Sequence, residues 1–165
     1  MSDRGLRLVL QNLTDTLVRD TLVQQTTHDL RDALNVDRVV LYYFYYPWKG
    51  QVTFESLSQQ KFSIVGSSGP DECFNGDYAA LYEAGRVRAI EDIEAELIDP
   101  CHRDYLRSLQ VKANLVVPVL NPQGLWGLLI AHHCQATRAW SKRDIERVRQ
   151  GAKTLETVPA IQNRS

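Results

Sequence analysis

Behind a single arginine, the stretch RVVLYYFYY at residues 38 to 46 runs through eight β-branched, leucine or aromatic side chains without a polar break. Such a run packs well on a pleated, half-buried surface and offers no helical face, so it commits the chain to a sheet. A second run, VTFESL at 52 to 57, follows closely, and the two are expected to pair as a hairpin turning at Lys49-Gly50. The period is different upstream. Leu6, Leu10, Leu13 and Leu17 recur at spacings of four, three and four, which is the stripe of an amphipathic helix, and Leu30 with Leu34 closes a second helical stretch.

Downstream, Gly66 to Pro70 is a loop rich in small residues, and a helix is expected from about Asp71 to Ala84 with Gly85 as its left-handed cap. Arg86 to Ile90 reads as a short strand and His102 to Leu109 as a short helix. ANLVVPVL and LWGLLIAHHC form a strand pair joined by Asn121-Pro122-Gln123-Gly124. A last helix starts near Ser141, with Ile145, Val148, Ala152 and Leu155 on one face. The resulting order, αββαβαββα with antiparallel hairpins at both ends of the sheet, is an α+β domain: a central antiparallel sheet flanked by helices.

A chain of 165 residues can bury one core without metal or disulfide support, and no repeat or long linker divides it. Residues 1–165 are read as a single domain, with 1–20 and 160–165 as helical ends leading to neighbouring domains. Its 19 Lys+Arg against 20 Asp+Glu leave no basic face for nucleic acid or a membrane surface. The apolar runs are too short to span a bilayer, and a cytoplasmic protein is expected. Three cysteines, an odd number, argue against a closed disulfide framework, and none of their spacings matches a zinc site.

Cys73 sits in GPDECFNGDY and Cys101 in DPCHRDYL, both on polar, non-periodic ground near helix starts, where a thiol is reactive; Cys134, ending a strand, reads as a small buried apolar residue. The ordered motifs CHRDYL, SLQVKANLVVPVL, LWGLLIAHHC and RAW resemble the bilin-binding GAF domains of cyanobacteriochromes, photoreceptors related to phytochromes, over roughly residues 20 to 160. DECF at 71 to 74 resembles the Asp-Xaa-Cys-Phe motif of the two-cysteine subgroup, which places Phe74 beside the ligand as well.

The resemblance implies a photoreceptor module carrying phycocyanobilin or phycoviolobilin, linear tetrapyrroles that are flat, conjugated electrophiles open to a thiolate. It makes Cys101 the permanent thioether anchor and Cys73 a reversible second ligand at the central methine carbon. Sulfur added there interrupts conjugation and gives a violet or blue form; its release gives a longer-wavelength form. Asp71 would face the pyrrole nitrogens, or be a plain helix N-cap. His102 would pack against the rings. His132, six residues after Trp126, would face the terminal ring, a buried core histidine being the other reading, and alternation turns His133 away. Tyr82 is a terminal-ring contact or a core tyrosine. Arg86 and Arg88 are propionate-binding candidates or strand-surface charges.

Phe62 and small residues stand where many relatives have a tryptophan, which leaves the long-wavelength colour open. No turnover chemistry is expected beyond self-attachment and possible isomerisation of the pigment. The chain resembles an excised sensor that signals through its terminal helices to an output domain, with the same helices offering a homodimer seam. Two other functions use a similar cavity: a regulatory domain binding a cyclic nucleotide, and a reductase of free methionine sulfoxide working through cysteines.

Overall fold

A computed structural model describes residues 3–46, 49–69 and 76–162. Helices α1 (Asp3–Arg19) and α2 (Thr21–Leu34) precede strands β1 (Arg38–Tyr46) and β2 (Lys49–Leu57). Then come a 3-10 turn (Gln60–Phe62), α3 (Gly76–Glu83), β3 (Arg88–Ile90), α4 (Pro100–Ser108), β4 (Ala113–Asn121), β5 (Gly124–His133), α5 (Lys142–Leu155) and α6 (Pro159–Gln162). The five strands form one sheet in the order β2-β1-β5-β4-β3, and every pair is antiparallel.

That order corrects one expectation. The β1–β2 hairpin does lie at an edge, but β4–β5 lies inside the sheet, because β5 pairs with β1 and β3 covers β4. The first turn is also displaced. Lys49 and Gly50 are already in β2, opposite Tyr46 and Phe44, so they are strand residues and not the expected turn. A side chain at Gly50 would stand 2.3 Å from the Tyr43 carbonyl oxygen, which suits a strand position of close backbone approach better than a turn tip.

Alternation along the strands separates two environments. One face turns Val39, Leu41, Leu115, Val117, Leu129 and Ala131 into the main core. It is covered by the stripe Leu10, Leu13 and Leu17 of α1, by Val23, Leu30 and Leu34 of α2, and by Val148, Ala152 and Leu155 of α5. The other face is covered by α3, which packs on β4 and β5, and at the β3 edge by Leu106 and Leu109 at the end of α4 with Ile90, Ile93 and Val111.

Helix ends follow local chemistry. α3 closes with Gly85 at φ +99°, where the Gly85 N–H donates to Tyr82 O and the Arg86 N–H to Leu81 O, the paired bonds of a left-handed glycine cap. Arg86 is therefore the residue after that cap, and the strand expected from Arg86 begins only at Arg88. α4 starts two residues before its expected His102: Asp99 caps it, Pro100 occupies the first turn, and Cys101 lies inside the helix.

Candidate functional site

Directly opposed residues of an antiparallel sheet share a face. Arg38 lies opposite His132, His132 opposite Asn114, and Asn114 opposite Ile90, so a polar row crosses the sheet from β1 to β4. The next row on the same face is Val40, Ile130, Val116 and Arg88. Beyond it, Tyr42 and Leu128 join Val116, Phe44 and Tyr82 of α3 in an apolar patch. One face thus carries His132, Arg88 and Tyr82 together.

Cys101 and His102 approach this region from the first turn of α4. The Cys101 N–H donates to Asp99 Oδ1 at 2.9 Å, fixing the turn that bears its sulfur. A cleft of ≈ 860 Å³ opens beside it, lined by Ser67, Ser68, Gly69, Cys101, Tyr105 and Leu109 among others. Tyr42 holds the far wall: its hydroxyl donates to Gly50 O at 2.9 Å and accepts from the Gly69 N–H at 3.1 Å.

His102, His132 and Tyr105 are held neutral here. Burial pushes the His102 pKa down, Arg88 repels its charged form further, and Asp99 partly opposes both. His132, 3 % exposed, lies well below the ordinary histidine range through burial first, then repulsion by Arg38 and by His102. Burial likewise raises the Tyr105 phenol, and Tyr42 adds to it. Two neutral histidines within electrostatic reach of each other and a guanidinium can donate hydrogen bonds to carbonyls and pair with a carboxylate, while Cys101 is disulfide-bonded in the structure and can attack an electrophile once reduced.

Arg86 stacks over the Tyr82 ring at 5.8 Å rather than lying on the strand, and Tyr82 itself is buried. Arg88 donates weakly to Leu97 O at 3.5 Å from the partly exposed edge strand. His133 turns away, with its Nδ1 2.8 Å from Ala136 O, and Cys134 is a buried free thiol whose pKa burial raises. Asp71, Cys73 and Phe74 lie outside the described residues.

Sequence reasoning passed over Arg38 and Asn114. Arg38 is 1 % exposed and directs its guanidinium to three neutral acceptors: His132 Nδ1 at 3.0 Å, Phe62 O at 2.6 Å and Leu109 O at 2.7 Å. Its signal was present, a lone arginine heading an otherwise apolar strand. Asn114, 2 % exposed, has no hydrogen-bond partner for its Oδ1 among the described residues, a buried acceptor facing the same side as His132. An elongated apolar ligand with carbonyl, N–H and carboxylate groups fits this donor and acceptor set.

The pattern of the GAF domain family matches residues 18–158. An uncharacterized protein of Picosynechococcus is 56% identical, over 94% of this chain and 95% of that protein. A putative methyl-accepting chemotaxis protein of Synechocystis is 39% identical over 72% of this chain, which spans only 12% of that relative's length. Among solved structures, the blue-light absorbing form of the Thermosynechococcus elongatus PixJ GAF domain superposes with a TM-score of 0.72 at 31% identity, covering 94% of this chain and 89% of that one. The phycocyanobilin-bound GAF domain of a cyanobacterial phytochrome gives a TM-score of 0.74 at 27% identity, covering 93% of each chain.

Proposed function

The chain belongs to the GAF domain family, and on that footing we propose that it is a photosensory module of the two-cysteine cyanobacteriochrome kind, which holds phycocyanobilin or phycoviolobilin and switches between a violet or blue form and a longer-wavelength form. The observation that carries this reading is the convergence of Cys101 and His102 on one helical turn with Arg88, His132 and Tyr82 on the sheet face it approaches. When bound, a linear tetrapyrrole supplies an electrophilic conjugated system and a double bond that light can turn.

Every other part belongs to the chain. Cys101, in reduced form at a helix N-terminus whose dipole favours a thiolate, serves as the permanent anchor. Cys73 serves as the reversible second nucleophile, and Asp71 as the carboxylate that holds the pyrrole protons. His102 and Phe74 pack against the rings, His132 and Tyr82 meet the terminal ring, and Arg88 with Arg86 pairs with the propionates. The domain performs no turnover chemistry; it attaches its own ligand and passes the light signal through its terminal helices to an output domain or to a second copy.

Co-expression with phycocyanobilin synthesis tests the reading. A coloured protein whose denatured chain fluoresces with zinc is expected. Cys101→Ala should lose the acid-stable pigment, while Cys73→Ala should keep it and lose the short-wavelength band. A colourless native protein, or an unchanged short-wavelength band in Cys73→Ala, would overturn the proposal.

A further inference from the structure

Arg38 is a buried cation that, among the described residues, hydrogen-bonds no carboxylate, and its three acceptors there come from three separate segments. Its Nε–H donates to His132 on β5, Nη1–H to the carbonyl of Phe62 at the end of the 3-10 turn, and Nη2–H to the carbonyl of Leu109 at the end of α4. A guanidinium has no acceptor atom and keeps its protons throughout the accessible pH range. The ring nitrogen that receives its N–H must therefore present a lone pair. With Nδ1 committed as acceptor, a neutral His132 carries its one proton on Nε2.

Among the described residues no hydrogen bond occupies that second nitrogen, and the ring lies on the sheet face shared with Asn114, Val116 and Arg88. A charged ring is disfavoured on three sides: by burial, by Arg38 from β1 and by His102 from α4. We propose that Arg38 is a positioning residue that locks His132 in the Nε2–H tautomer, making it a permanent hydrogen-bond donor toward the ligand face. The same guanidinium ties the donor to the C-terminal end of α4, the helix that bears Cys101. The identity of the acceptor, a ligand carbonyl, rests on the bilin reading; the tautomer does not.

The test begins on pigment-free protein. Long-range proton–nitrogen NMR of histidine-labelled chain at neutral pH should show His132 with its proton on Nε2 and none on Nδ1. A proton on Nδ1, or on both nitrogens, overturns the proposal, and this measurement needs no mutant. Arg38→Met should lose the single tautomer, and Arg38→Lys should recover part of it; an unchanged ring in a folded Arg38→Met also overturns the proposal. In pigment-loaded protein, Arg38→Met should retain zinc fluorescence while its long-wavelength band moves and its photoconversion yield drops several-fold. Unchanged colour and yield would remove the ligand half of the inference. A native chain that takes up no pigment would remove the bilin reading and leave the tautomer result intact.

Discussion

His132 and His102 act at the scale of single residues through the protons they refuse. Both have pKa values below the unfolded value of about 6.5, burial being the first cause in each. Between the folded and unfolded values the unfolded chain binds more protons, so their contribution to stability is complete above about pH 6.5 and is lost as pH falls through that window. Each histidine can add a slope of up to about 1.4 kcal/mol per pH unit there. Thermal melts from pH 7.5 to 5.5 should show falling Tm well before carboxylates titrate, and His132→Gln, whose carbonyl can still accept from Arg38, should flatten the decline. A flat native profile would contradict the buried neutral state. That Arg38 lies beneath this behaviour was not legible in RVVLYYFYY, because periodicity reports which face a residue occupies and not which segments close over it.

Individual elements carry their own instructions at their ends. Asp99 and Pro100 start α4, and the carboxylate takes the Cys101 N–H. Asp99→Ala should cost about 1 kcal/mol by leaving first-turn donors unpaired, and Asp99→Asn should restore most of it, as denaturant unfolding would show. Since that turn holds Cys101, the proposed anchor, pigment attachment should slow in the alanine variant under conditions where both proteins are folded. Equal stability and equal attachment would mean that the turn is held by its tertiary contacts instead. The cap at Gly85 was readable beforehand, whereas the start of α4 was read two residues late because Pro100 looks like a boundary until it is recognised as a first-turn residue.

For the molecule as a whole, the sheet divides the main core from the face that carries His132, Arg88 and Tyr82. Leu17, completely buried in the core on the helical face, should cost roughly 2–5 kcal/mol when cut to alanine, yet leave the absorption maxima of the loaded protein in place. Denaturation with parallel spectra checks both halves, and a colour shift would show that the two faces are coupled. The same packing bears on assembly. The apolar seam of α1 that suggested pairing is spent on the domain's own core at Leu10, Leu13 and Leu17, leaving Leu8 at 61% and Val18 at 49% exposure on the outside. Light scattering should therefore find that any dimer is dissolved by Leu8→Glu with Val18→Glu at unchanged Tm. A dimer that survives both changes moves the contact away from α1.

The sequence by itself determined the elements and their faces, since 3.6-residue and two-residue periods, a glycine cap and an alternating pair of histidines are properties of neighbours along the chain. It also marked Cys73 and Cys101 by their polar, non-periodic setting. Only the tertiary structure decided that β5 joins β1, placing His132 across from Arg38, and that Arg38 reaches Phe62 and Leu109. Those segments lie 24 and 71 residues away along the chain. No local pattern encodes such a meeting: a buried guanidinium finds its acceptors where the sheet order and the closing helix leave carbonyls unpaired, and that is settled only when the whole chain has packed.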